Sequence, residues 1–276
     1  MFWGSFVLLP AVLGPLVHAA RHFLEEPDTG HASFFQSITN ETSSLPELED
    51  IATLYDFQYV AQQHLNETSY TYYRNGAGGE WSYRNNLEAF PRLRFRPRVM
   101  LNINNVEESL PTRILGFNFS APFFIAPAAR AGYAHPDGEM ALTQGAAAGN
   151  ILYIPSDLST RTKADIQSAR ATGQIMFQQL YLDPLNGTKT MQQIRQAEEL
   201  GFNALIVTVD SPADSNRPRA IRMGVGSADD AYTSFTWDQL DEIQAQTQLP
   251  IIAQGNTNVG RRGDWCAEGI EGDVFE

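Results

Sequence analysis

The residues of this chain that could do chemistry sit where short apolar runs end. Pro127, Ala128 and Ala129 follow the run 123–126, and Ser156 follows 151–154. Gln179 and Tyr181 close the run 175–180, Thr208 and Asp210 close 204–209, and Gln254 follows 250–253. Together these are uncharged hydrogen-bonding groups with one carboxylate among them. Such a set does not suggest a metal site: it contains no paired histidines, and Asp183 and Asp210 are separated by a helix and a strand pattern. Gly224 and Gly226 do not lead from a strand into a helix, so they do not make a dinucleotide fingerprint. What remains suits the edge of a planar, polar heterocycle. The plainer alternative is that each polar side chain only satisfies loop backbone.

The elements that must position these residues are legible as a repeat. The five apolar runs have the length of buried strands, and helical patterns lie between them. One carries Met191, Ile194, Ala197 and Leu200 on a single face, with Thr188 as the expected cap and Gly201 as the stop. Another opens with a capping box, Thr236 and Gln239, ahead of Leu240 and Ile243. Repeated βα units define an α/β protein with a parallel sheet, either an open doubly wound sheet or part of a closed barrel. Both architectures collect ligands at the carboxyl ends of their strands. In that position Ser156, Gln179 and Thr208 could meet the edge of an isoalloxazine ring, with backbone N–H groups near Ala129 facing its reactive nitrogen.

Ahead of the repeat, residues 46–73 have helical spacing (Leu48, Ile51, Leu54, Phe57, Val60, Leu65), ended by Gly76, Gly78 and Gly79. Arg92, Arg94, Arg96 and Arg98 alternate with apolar residues, which predicts an extended segment with one solvated face.

Composition restricts partners. A formal charge of −13 argues against a nucleic-acid partner. Residues 1–20 read as a cleaved signal peptide, with a membrane anchor as the alternative, and a mature chain with no stable membrane span is expected. Residues 21–46 read as a flexible lead-in and 256–276 as an irregular tail, leaving 47–255 as the folded domain. Asn40, Asn66, Asn118 and Asn186 lie in glycosylation sequons, consistent with a secreted glycoprotein, and Asn118 sits in an apolar stretch. Cys266 is the lone cysteine, so core burial rather than an intrachain disulfide must stabilise the fold.

Five stretches, in order, resemble the FMN-dependent 2-hydroxy acid dehydrogenase and oxidase family: YTYYRNGAGGEW from Tyr70, FPRLRFRPRVM from Phe90, ILGFNFSAPFFIAPAARAGYAHPDGE from Ile114, FQQLY from Phe177 and LIVTVDSP from Leu205. The resemblance implies a (β/α)8 TIM barrel preceded by a helical segment, of which about five βα units are present here. It implies FMN as cofactor and a small 2-hydroxy acid as substrate, oxidised to a 2-oxo acid. Position by position, Tyr72 resembles the tyrosine that binds the substrate carboxylate, Arg217 the arginine of the loop after the fourth strand, and Tyr181 the tyrosine near the substrate hydroxyl. Asp210 resembles the carboxylate that steadies the catalytic histidine. Pro127, Ala128, Ala129, Ser156, Gln179, Thr208 and Gln254 match flavin-contacting positions.

Two departures follow from the same comparison. Ala128 stands where the family has threonine, and Gln254 where it has lysine. The family's histidine and carboxylate-binding arginine lie in a segment for which this sequence has no counterpart, its histidines being His18, His22, His31, His64 and His135. Absent units would leave strand edges uncovered: either a partner chain, such as a second copy, covers them, or the sequence as given is a truncated piece, or the product is a degenerate relative. Two readings therefore stand: an FMN-dependent oxidoreductase, with a step in a fungal secondary-metabolite pathway as one place for it, or a catalytically inactive secreted glycoprotein that keeps part of the fold as a binding module.

Overall fold

The computed structural model describes residues 30, 34–35, 45–183, 185–211, 215–225 and 236–255. The expected signal peptide, Asn40, Cys266 and the tail lie outside these residues, as does nearly all of the lead-in. Two compact units divide the chain: residues up to Val60 with Glu80–Arg96, and Ala61–Gly79 with everything from Pro97 onward.

Among the described residues from Pro46 to the sheet, three α-helices occur: α1 (Leu54–His64), α2 (Glu67–Arg74) and α3 (Trp81–Arg92). The helical stretch expected over 46–73 is thus helical but divided rather than continuous. A 3-10 turn at Leu48–Asp50 comes first, and the break between α1 and α2 falls at Asn66. Asn66 has extended backbone (ψ 156°), and its side chain accepts from the Ser69 N–H at 2.8 Å. A residue so disposed starts a helix and cannot continue one. Buried Asp56 in α1 likewise holds the Ala52 and Thr53 N–H groups, at 2.9 and 2.7 Å. Of the apolar positions that gave the helical spacing, Val60 is buried, while Leu48, Leu54 and Phe57 are exposed. The arginine alternation is a second correction: residues 93–99 form no strand, and Leu93, Phe95 and Val99 are as exposed as the arginines between them. Period-two alternation makes a strand only where a neighbour pairs with it and one face is covered.

The strands of the second unit begin with a hairpin that the sequence did not suggest: β1 (Thr112–Ile114) pairs antiparallel with β2 (Phe117–Phe119). Its turn residues, Leu115 and Gly116, both have positive φ (48° and 82°). Tight hairpins require that conformation, but leucine there gives none of the usual Asn-Gly signal. Ile114 and Phe119 face inward, and Asn118 is exposed on the outer side.

The five expected strands follow: β3 (Phe124–Ile125), β4 (Leu152–Tyr153), β5 (Phe177–Leu180), β6 (Ala204–Thr208) and β7 (Ile251–Gln254). β3 pairs with β4, and β5, β6 and β7 pair in sequence, all parallel. A parallel bridge between Tyr153 and Met176 joins the two groups. Spatial order therefore equals chain order with no reversal, the arrangement of consecutive barrel units rather than of a doubly wound sheet. The connections carry α4 (Glu139–Gly149), α5 (Lys163–Ser168), α6 (Gly187–Glu199), α7 (Pro218–Arg222) and α8 (Trp237–Gln244). α8 opens with the expected Thr236–Gln239 capping box. α6 starts earlier than expected: Asn186, not Thr188, is the cap, its side chain accepting from the Lys189 N–H at 3.1 Å.

Alternation along the strands makes two cores. Leu180, Leu205 and Val207 face the helices, packing with Ile194, Ala197, Leu240 and Ile243. Phe177, Ala204 and Ile206 face the other way, with Leu152, Ile154, Ile114 and Phe119. Gln179 and Thr208 continue that second face, so the same pleat that packs Phe177 and Ile206 points these polar groups to the carboxyl end. Leu205→Ala, at a fully buried position, is expected to cost about 2–5 kcal/mol, and Asn186→Ala about 1 kcal/mol, by urea unfolding. A Leu205→Ala chain unfolding with wild type would contradict this account of the core.

Candidate functional site

At the carboxyl ends of the strands, one hydrogen-bonded row crosses the sheet. The Gln179 Oε1 accepts from the Ser156 hydroxyl (3.2 Å) and the Asp157 N–H (2.8 Å), and its Nε2 donates to the Thr208 Oγ1 at 2.9 Å. The Thr208 hydroxyl in turn donates to the Gln254 Oε1 at 2.8 Å. Ser156, Gln179 and Thr208 are buried and Gln254 half-buried. β6 and β7 are in register at Thr208 and Gln254, which places their side chains side by side.

These groups form the floor of a cleft of about 360 Å³, whose walls include Tyr72, Pro127, Ala129, Tyr181, Asp210 and Arg217. Every catalytic, substrate-binding or flavin-contacting residue expected from the sequence except Ala128 lines this one cleft. Ala128 is exposed and not among its walls: within the turn its neighbours Pro127 and Ala129 face the cleft instead. Leu158 and Ser211 also line it and were not foreseen. Each lies close after a recognised strand end, Leu158 donating its N–H to the Ser156 Oγ at 3.1 Å, but neither has a polar pattern of its own. His135 is not in the cleft; its side chain is 61% exposed, and its Nδ1 accepts from the Asp137 N–H.

Asp210 reaches over the backbone of Gly255. A Cβ built on that glycine would fall 2.2 Å from the Asp210 carboxyl carbon, and Gly255 has φ of 88°. Only glycine fits there on both counts. Tyr72 enters the cleft from α2, and α2 is in contact with α7, which follows Arg217. Burial pushes the Tyr72 phenol up, opposed in part by the guanidinium groups of Arg130 and Arg217. It is therefore a neutral hydroxyl donor at ordinary pH.

The strand-end loops are tied together by Glu139, at the start of α4 and fully buried. Its Oε1 accepts from the Ala131 and Thr160 N–H groups (2.9 and 2.8 Å), and its Oε2 from the Thr160 hydroxyl and the Arg161 N–H (2.7 and 3.0 Å). Burial pushes the carboxyl up, but the bonds from Thr160 and Arg161 outweigh it and hold the group below the usual carboxylate range. Close by, Asp157 pairs with Lys163 at 2.6 Å and accepts from the Gln193 amide at 3.0 Å.

A larger groove, about 1040 Å³, lies between α6 and α8 on the helical side. No strand end opens into it. Among the described residues there is no cluster of His, Cys, Asp and Glu that could hold a metal, and no helix is long and apolar enough to cross a membrane.

Comparison with known proteins gives the family. The family described as FMN-dependent dehydrogenase matches residues 61–231, and the chain belongs to that family. It is 31% identical over 237 residues to glycolate oxidase 1 of Zea mays, covering 75% of this chain and 62% of that protein. It is 32% identical over 234 residues to a peroxisomal (S)-2-hydroxyacid oxidase of Arabidopsis thaliana, covering 75% and 63%. Among solved structures, the flavin-binding domain of baker's yeast flavocytochrome b2 superposes with a TM-score of 0.70 at 27% identity, covering 83% of this chain and 58% of that one. A mandelate oxidase gives 0.68 at 26% identity, covering 75% and 62%. The chain thus spans somewhat less than two thirds of the length of these relatives.

Because the Glu139 carboxyl is depressed in the folded state, its contribution to stability is complete above the unfolded pKa and is lost as pH falls through the folded one. Glu139→Gln turns an amide donor toward a nest of donors and is expected to cost roughly 2–4 kcal/mol at neutral pH. The gap to wild type, measured by urea unfolding, should narrow as the buffer is made acidic. A gap that stays constant down to about pH 3, well below the ordinary carboxylate value, would rule the Glu139 assignment out.

Proposed function

We propose that the cleft is the strand-end half of an FMN-dependent site that oxidises a small 2-hydroxy acid to a 2-oxo acid. The observation that supports it best is convergence: residues from α2 and from five strand ends, far apart in sequence, meet in one cleft of the right chemistry. The fit to the flavin ring rests on the floor. Its groups are amides and hydroxyls that can both donate and accept, they are largely shielded from water, and none carries a charge that a neutral heterocycle would have to offset. Ser156, Gln179, Thr208 and Gln254, together with the turn at Pro127 and Ala129, would hold the flavin. When bound, FMN supplies the acceptor for the two electrons leaving the substrate carbon.

The chain's own groups then take defined parts. The Arg217 guanidinium draws the substrate carboxylate into the cleft, and the neutral Tyr72 hydroxyl donates to it, fixing which end of the substrate points inward. Tyr181 lies beside the floor, where its hydroxyl can orient the 2-hydroxyl group. Asp210 is the one carboxylate among the described walls, the group there that can take a proton or hold a protonated partner in place. The floor and Leu158 exclude water from the substrate carbon.

The competing reading, an inactive secreted glycoprotein that uses the partial fold as a binding module, draws on two observations. The floor groups already satisfy one another and need no ligand to do so. Asn118, exposed on β2, is an open acceptor for a glycan, whereas the Asn66 and Asn186 side chains also cap helices.

Purified full-length protein should carry, or take up, FMN with a yellow absorption band that bleaches on anaerobic addition of glycolate, lactate or mandelate. Tyr72→Phe should raise KM about tenfold, the worth of one hydrogen bond to a charged group, and leave the flavin spectrum unchanged. Protein that is colourless after incubation with FMN and removal of the free flavin would overturn the enzymatic reading in favour of the module.

A further inference from the structure

Around Tyr72 lies a cluster that the proposed chemistry does not use. Arg130, just past the Pro127–Ala129 turn, has its guanidinium carbon 5.4 Å from the centre of the Tyr72 ring and 5.5 Å from that of Tyr133. Its Nη1 donates to the Tyr133 hydroxyl at 2.8 Å. The Tyr72 ring meets the Tyr133 ring edge-on at 5.1 Å and the Tyr73 ring edge-on at 5.5 Å. The Tyr73 hydroxyl donates to the Arg130 carbonyl at 2.8 Å, and the Tyr133 N–H donates to the same carbonyl at 2.9 Å. A cation over two aromatic faces and two edge-to-face ring pairs each favour one arrangement of the rings.

The backbone supplies a second, independent observation. Arg130 is a non-glycine residue at φ 61°, ψ 46°, a conformation that costs a side-chain-bearing residue energy. Glycine would take it without strain. The contacts of the Arg130 side chain and carbonyl hold it there. The loop therefore bears a local cost at the residue whose guanidinium touches Tyr72.

We propose that Arg130, braced by Tyr133, is a positioning residue: it clamps the Tyr72 ring so that the phenol projects into the cleft, and it adds positive potential where an anionic substrate group binds. This rests on the reading of the cleft as a 2-hydroxy acid site. α2 and the loop after β3 are separate segments, and the clamp is what ties the Tyr72 phenol to the strand ends. The charged and titratable groups around the phenol are Arg130, Arg217, Tyr133 and Tyr73, with Glu139 beyond Tyr73. The two guanidinium groups are the only ones of these that favour an ionised phenol. Removing one therefore moves the phenol's titration to higher pH.

The test uses the full chain with Tyr72 replaced by 3-fluorotyrosine, read by fluorine NMR across pH, beside steady-state kinetics on the unlabelled protein. Arg130→Gly removes the clamp while relaxing the backbone, so it threatens folding least, and Arg130→Lys keeps the charge without the planar stack. Arg130→Gly should shift the fluorine resonance and move its titration upward, with Arg130→Lys in between. In the flavin-loaded protein Arg130→Gly should raise KM for glycolate or lactate about tenfold with kcat and the flavin spectrum little changed. A fluorine titration identical in wild type and Arg130→Gly overturns the clamp whether or not the protein turns over. A fall in kcat or loss of flavin at unchanged KM overturns it as well, by showing a general structural role. A shifted titration in protein that never binds FMN sustains the clamp and refutes the oxidoreductase reading instead.

Discussion

A carboxylate buried without a cationic partner is costly unless hydrogen bonds satisfy it, and the arrangement of the strand ends depends on how Glu139 meets that cost. Its four donors come from two loops, one after β3 and one after β4. Neither loop alone could satisfy it. Folding one loop wrongly would leave the charge exposed to an apolar interior, so each loop fixes the other. The packing is close enough that Gly132 has no room for a side chain: a Cβ there would lie 2.6 Å from the Thr160 hydroxyl. The Ser156 region and the Pro127–Ala129 turn inherit their positions from this lock.

Polarity along the floor is also fixed by chemistry. A threonine hydroxyl has one hydrogen, so Thr208, once it donates to Gln254, can only accept from Gln179. The direction of both amides follows: Gln179 must turn its nitrogen toward Thr208 and its oxygen toward Ser156 and Asp157, and Gln254 must turn its oxygen toward Thr208. Three side chains from adjacent parallel strands thereby behave as one oriented unit. Replacing any member by an isosteric apolar residue would release its neighbours to rotate.

Much of this was legible in the residues, for reasons that also mark where legibility ended. The buried strands announced themselves because parallel strands covered on both faces are continuous apolar runs, and the polar residue that ends each run stood out against it. That is why Ser156, Gln179, Thr208 and Gln254 could be chosen before any coordinates. Leu158 could not, because an apolar residue in a loop looks like any other. Asn186 was passed over for Thr188 since both are good caps and only the backbone distinguishes them. The β1–β2 hairpin was hidden by a leucine in a left-handed turn position, and the alternating arginines misled because alternation describes a strand only if something pairs with it. Arg130 carried no signal at all: its role depends on a ring from a helix about sixty residues earlier.

Size alone would have led elsewhere. The groove between α6 and α8 is nearly three times the volume of the cleft, yet apart from Asp183 and Gln246 its walls are the flanks of two helices, with Gln192, Arg195 and Glu242 among them. Helical periodicity sends neighbouring residues in different directions, so such a wall seldom aims several polar groups at one point. Parallel strands do the reverse: each delivers its last residue to the same edge, in register with the next. Convergence, not volume, is what a site for directed chemistry requires, and in this chain it occurs where Thr208 lies between Gln179 and Gln254, with Asp210 two residues beyond.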